Sequence, residues 1–137
     1  MAIAIGKSFE FAAAHRLYRP EWSPEKNISV FGKCANHHGH NYTLEVSVIG
    51  EQDKETGMVF DASKLSALVQ EWVLNDLDHK DLVKDVPWLE GKLSTVENVT
   101  EAIWNRLSKP VKESGAELYE VRVQETGRIF AVRRRND

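Results

Sequence analysis

Apolar and polar positions alternate loosely from Ile3 to His15, with Ile3, Ile5, Phe9, Phe11 and Ala13 on one parity. This predicts a strand that carries His15 on its apolar face. From Arg16 to Gly39 the alternation stops. Pro20, Pro24, Asn27, Gly32 and Asn36 fall there, predicting a connection long enough to suggest function. Alternation returns from His40 to Gly50, with Tyr42, Leu44, Val46 and Val48 against Asn41, Thr43, Glu45 and Ser47, a half-buried strand. Beyond the turn-like segment 51–57, Asp61 is a candidate N-cap for a helix with Leu65, Leu68, Val69, Trp72 and Val73 on one stripe, ending near Asn75. An irregular link from Asp76 to Lys92 leads to Ser94-Thr95-Val96-Glu97, which reads as a capping box opening a second helix. That helix buries Val96, Val99, Ile103, Trp104 and Leu107, and Gly115 stops it. Two strands follow, Glu117 to Glu125 with Tyr119, Val121, Val123 and Glu125 on one parity, and Ile129 to Arg134, joined through Thr126-Gly127-Arg128. The predicted order is β-β-α-α-β-β, an α+β fold.

The chain of 137 residues suits a single domain over 1–137 with its own core. A formal net charge of −3 gives no basis for expecting a nucleic-acid partner, and Arg133-Arg134-Arg135 reads as a solvated terminus. No apolar run approaches the roughly 18 residues of a membrane span, and a signal-peptide pattern is missing, so a soluble cytoplasmic protein is expected. The single cysteine, Cys34, excludes a disulfide within the chain.

Histidine placement changes the picture. His38 and His40 are two apart, so an extended backbone puts both imidazoles on one face, and Gly39 between them lets the backbone come close. An antiparallel pairing of the first two strands would bring His15 beside them. Three nitrogen ligands with a fourth position left open is the arrangement of catalytic zinc. The plainer reading of His15 is a hydrogen-bonded core histidine; shared parity favours the metal. His37 has the opposite parity and is left out. Cys34 has three readings: a fourth ligand, a small buried hydrophobe, or a base whose thiol pKa falls from about 8.5 beside positive charge. Asp78-His79 is either a solvated loop or a carboxylate orienting a proton carrier. Glu125, on an apolar parity, is either an exposed strand end or an acceptor for paired N–H donors such as the amino-pyrimidine edge of a pterin or guanine.

Phe11-Ala12-Ala13-Ala14-His15-Arg16-Leu17, Gly32-Lys33-Cys34, His38-Gly39-His40-Asn41-Tyr42, Thr56-Gly57-Met58-Val59-Phe60-Asp61, Leu77-Asp78-His79, Ser94-Thr95-Val96-Glu97-Asn98 and Glu125-Thr126 together resemble the 6-pyruvoyl-tetrahydropterin synthase and 6-carboxy-tetrahydropterin synthase family. The resemblance runs through nearly the whole chain. It implies the tunnelling fold: a four-stranded antiparallel sheet backed by two helices on one face, the sheets of three copies joining into a barrel, two trimers commonly stacking as a homohexamer. It implies Zn2+ on His15, His38 and His40, Cys34 as base, Asp78 with His79 as a relay supplied across a subunit interface, and Glu125 as pterin anchor. Thr95 and Glu97 match positions lining the pterin pocket. The implied substrate is 7,8-dihydroneopterin triphosphate. The three-residue spacer between Cys34 and His38 resembles the branch that releases acetaldehyde and leaves a 6-carboxy product for queuosine. The Tyr18 to Asn27 insertion resembles instead the pyruvoyl branch on the biopterin route. The expectation is the carboxy-forming lyase, with the pyruvoyl synthase as alternative and a non-catalytic zinc or pterin-binding module as a further one.

Overall fold

The computed structural model describes residues 2–136. Its frame is a sheet of order β3-β1-β2-β4-β5, with β1 spanning Ile3–His15, β2 His38–Gly50, β3 Lys80–Asp81, β4 Glu117–Gln124 and β5 Phe130–Arg134. The alternation read from the sequence fixes the longest pairing. β1 and β2 run antiparallel in unbroken register from Ile3 opposite Gly50 to His15 opposite His38. Directly opposed residues share a face, so Phe11 with Tyr42, Ala13 with His40, and His15 with His38 all point inward.

The α+β class and the predicted element order stand, with four local departures. A two-residue β3 adds a parallel rung beside Ala13 and Ala14, which makes the sheet five-stranded and mixed. The long connection holds an unpredicted helix, α1 at Pro24–Phe31, capped by the Ser23 hydroxyl and ended by Gly32 at φ 59°, a backbone value that suits glycine. Asn27 is wholly buried there, and its amide bonds the Arg19 N–H and the carbonyls of Arg19 and Ser23. A bulge at Ser47/Val48 resets the register of β4, so Leu118 enters the core and Tyr119 leaves the predicted parity. The helix after Asp61 ends at Leu77, two residues past the expected Asn75, but it is not uniform: α2 at Ala62–Val69 runs through a π turn at Gln70–Leu74 into α3 at Asn75–Leu77.

Helix α4, Val96–Glu113, is capped by Thr95, whose hydroxyl accepts from the Asn98 N–H. The expected box between Ser94 and Glu97 therefore does not form, because the cap lies one residue later. Ser94 turns inward instead and is buried, while Glu97 is exposed. The core lies between the inner sheet face and the helices, with Leu44, Val46, Val121 and Val123 packed with Leu65, Val69, Val99, Ile103 and Leu107. Truncating Leu44, Leu65, Ile103 or Leu107 to alanine is expected to cost about 2–5 kcal/mol. Among the described residues no helix is long and apolar enough to cross a membrane.

Candidate metal centre

The end of β1 and the start of β2 place three imidazoles at one end of the inner face. Ring centroids of His15 and His38 are 4.6 Å apart, His15 and His40 5.2 Å, and His38 and His40 4.9 Å. One nitrogen from each lies within 4.8 Å of the others. Close strand approach is needed to bring them so near. A Cβ on Gly39 would stand 3.2 Å from the Ala13 carbonyl oxygen, so glycine between the two histidines keeps the pairing tight.

Neighbouring carbonyls set the tautomers. The Nδ1 of His15 lies 3.0 Å from the Ser94 carbonyl oxygen and 3.1 Å from its hydroxyl, and the Nδ1 of His38 lies 2.7 Å from the Asn36 carbonyl oxygen. A carbonyl only accepts, so both Nδ1 atoms carry the proton and both Nε2 atoms present a lone pair. The Nε2 of His15 is buried without a hydrogen-bond partner. Burial drives the His15 pKa down to about 4, helped by the neighbouring His38 and His40 and opposed by the Ser94 bond and Asp81. His40 is also lowered, by burial first, against the opposing pull of Glu125. Neutral imidazoles that converge with an unsatisfied buried lone pair are the donor set a zinc ion takes, so these residues fit that metal.

Glu125 follows β4, and its N–H donates to the Ile129 carbonyl at 2.9 Å. Its Oε1 lies 3.5 Å from the His15 Nε2 and 3.6 Å from the His40 Nε2. The Tyr42 ring forms the floor, 5.6 Å from the His40 ring and stacked on Phe11 at 4.7 Å, with its hydroxyl buried and unpartnered. Burial, with Glu125 adding to it, pushes the Tyr42 phenol upward.

The other predicted residues fall around this centre. Cys34 is exposed in the tight turn Gly32–Ala35, and its carbonyl accepts from the Leu17 N–H at 2.7 Å, two residues past His15. It is neither buried nor in the group of converging ligand atoms. Asp78 and His79 stand at the outer side of β1. The Asp78 Oδ1 accepts from the Ala12 N–H at 2.9 Å and lies 3.0 Å from the His79 Nδ1. The Ala12 bond is the main reason the Asp78 carboxyl titrates below its ordinary range. His79 holds φ 63°, donates its N–H to the Ala12 carbonyl at 2.6 Å and leaves its side chain exposed. A hollow of about 480 Å³ lies between Ala12, Ala14, His40 and Asn41 on one side and His79 and Asp81 on the other. Thr95 caps α4. His37 faces Asp81 at 4.0 Å, outside the trio.

The roles of Ser94 and the Asn36 carbonyl in holding the rings have no counterpart in the sequence pattern, which offers Ser94 only for a capping box. The Ser94 contact spans 79 positions of chain and leaves no local signal.

Fold and site together define an α+β chain whose paired strands bring together three histidines that could hold a metal ion. The chain belongs to the 6-pyruvoyl tetrahydropterin synthase family, whose sequence profile matches residues 4–136. The 6-pyruvoyl tetrahydrobiopterin synthase of Dictyostelium discoideum is 43% identical over 124 residues, 90% of each chain. That of Homo sapiens is 44% identical over 130 residues, 93% of this chain and 88% of that one. The solved 6-pyruvoyl tetrahydropterin synthase of Caenorhabditis elegans superposes with a TM-score of 0.90 at 34% identity, over 99% of this chain and 97% of that one.

These relatives overturn the carboxy-forming expectation. The 6-carboxy-5,6,7,8-tetrahydropterin synthase of Haemophilus influenzae is only 32% identical, over 95 residues that make up 67% of this chain and 60% of its own. The spacer before His38 is a bare residue count crossed by a tight turn. The Tyr18 to Asn27 insertion builds a capped helix around a buried asparagine, and it carried the better information.

Proposed function

We propose that the protein is a zinc-dependent lyase that converts 7,8-dihydroneopterin triphosphate into 6-pyruvoyl-tetrahydropterin and triphosphate. The observation that carries this reading is the convergence of His15, His38 and His40, with the His15 Nε2 buried and unpartnered, in a chain whose 42–44% identical relatives bear the pyruvoyl synthase name. Zinc held by the three histidines would supply Lewis-acid polarisation of the substrate's side-chain hydroxyls.

The remaining roles belong to the chain. Cys34, solvent-facing beside the strand ends, takes a proton from the side-chain carbon next to the ring. Asp78 holds the His79 Nδ1, so the opposite ring nitrogen is left to carry protons. Electrons freed by C–H removal reduce the ring C=N bond, and breakage of the C–O bond to triphosphate leaves the pyruvoyl side chain. No external oxidant or reductant is needed. Glu125 accepts the paired N–H donors of the pterin, and the resemblance adds Thr95 and Glu97 as pocket-lining positions. The reading takes the enzyme to be cytoplasmic and to assemble from three or six copies, with Asp78 and His79 offered to a neighbouring copy.

Incubation of the zinc-loaded protein with 7,8-dihydroneopterin triphosphate is expected to release triphosphate and give a pterin of pyruvoyl mass. No triphosphate release would sink the lyase reading. Acetaldehyde and a carboxypterin would sink the assigned product.

A further inference from the structure

Glu125 lies too close to the histidines to serve only as a distant pterin contact. Its Oε1 is 3.5 Å from the His15 Nε2 and 3.6 Å from the His40 Nε2. Neither distance is a good hydrogen bond, and the His15 Nε2 has no proton to give because the Ser94 carbonyl holds the ring's single proton at Nδ1. The carboxylate oxygen and the bare His15 nitrogen therefore face one another lone pair to lone pair, the imidazole buried and the carboxylate half-buried. That arrangement repels unless a cation lies between them. Ligand atoms about 2.0–2.2 Å from a tetrahedral zinc stand about 3.3–3.6 Å from one another, the separation of the Glu125 Oε1 from two of the three histidine nitrogens, those of His15 and His40.

We infer that Glu125 is a displaceable fourth metal ligand, closing the three-histidine centre until the pterin base draws the carboxylate away. The inference rests on the reading of Glu125 as pterin anchor and of the histidines as zinc ligands. Its carboxylate has room to move, since the side chain is 15% exposed and sits at the end of β4, beside the turn into β5. One carboxylate then serves two stations. With substrate absent, the metal is fully ligated and held more tightly. When the paired N–H donors of the pterin take the carboxylate, a coordination position is freed for the substrate's hydroxyls. Pterin base and metal thus compete for one side chain, and by reciprocity each weakens the other's binding by the same factor.

The test uses the full chain stripped of metal and reloaded with Co2+, read by its visible ligand-field bands and by competition with a chelator. The probe is 7,8-dihydropterin unsubstituted at carbon 6, which has no hydroxyls with which to reach the metal. Adding it to wild-type protein is expected to shift the bands and weaken Co2+ retention several-fold. Glu125→Gln is expected to bind Co2+ about 10–100-fold more weakly with altered bands, and the probe should move them no further. Unchanged bands in the wild type on saturation with the probe, or equal Co2+ affinity and spectrum in wild type and Glu125→Gln, would overturn the inference while leaving the histidine centre intact. Failure of the centre itself has a separate signature, equal Co2+ binding by wild type and His38→Ala, and it would remove the inference as well. The probe titration on wild type needs no variant, so it decides the matter even where Glu125→Gln fails to fold.

Discussion

His15 carries the strongest electrostatic consequence of any single residue in this chain. Its pKa falls from 6.5 to about 4 in the folded protein, chiefly through burial. Between those values the unfolded chain binds a proton that the folded chain refuses, so stability of the metal-free protein rises with pH across that window. Above about 6.5 this residue contributes no further slope, and acidification below it costs stability progressively, on the order of 2–3 kcal/mol by pH 4. Chemical denaturation of metal-free protein at several pH values is expected to show this slope, reduced in His15→Asn. Equal slopes in the two proteins would show that the ring is not held neutral by burial. The three histidines were legible because parity and spacing are local properties of a strand. Their orientation was not, because Ser94 and the Asn36 carbonyl hold the rings through contacts that no pattern in the chain announces.

At the scale of elements, the π turn at Gln70–Leu74 governs where Asp78 and His79 emerge. Arg106 of α4 fastens this stretch. Its Nε donates to the Trp72 carbonyl at 3.0 Å and a terminal nitrogen donates to Asp76 at 3.2 Å, while the guanidinium lies 4.9 Å from the centre of the Trp72 ring and 5.5 Å from that of Trp88. The Trp88 indole N–H donates to the same Asp76 carboxylate oxygen at 2.9 Å. One cation thus ties the residues flanking Asp78-His79 on both sides. Arg106→Ala is expected to cost about 1–2 kcal/mol of stability and to lower kcat several-fold with metal content unchanged. Unaltered turnover in a protein of full metal content would show that the segment is held well enough by Leu77, Leu82 and β3. Apolar periodicity made α2, α4 and the four long strands legible. A π turn adds one residue to a helical turn without altering composition, a two-residue strand has no period, and the Ser47/Val48 bulge depends on its partner strand. Those features escaped for physical reasons rather than through a misjudged propensity.

For the whole molecule, the sheet is open at both sides, with β5 at one and β1 with its short β3 at the other. Asp78 and His79 stand on the β1 side, and the His79 side chain is 82% exposed, unusually bare for the proton carrier proposed above in a reaction that water must not spoil. Cys34 and the histidines lie at the strand ends of the same chain. A head-to-tail ring of copies would cover His79 and bring it to a neighbour's metal centre, since heterologous contacts close when the rotation permits. Sharing of that kind has a distinctive consequence. Cys34→Ala and His79→Ala should each be nearly inactive alone, yet mixing them in equal amounts under subunit-exchanging conditions should restore about a quarter of wild-type activity. One site in four would then draw Cys34 from one copy and His79 from another that still has it. Absence of any recovery, with exchange verified by mass, would place both groups in a site built within one chain.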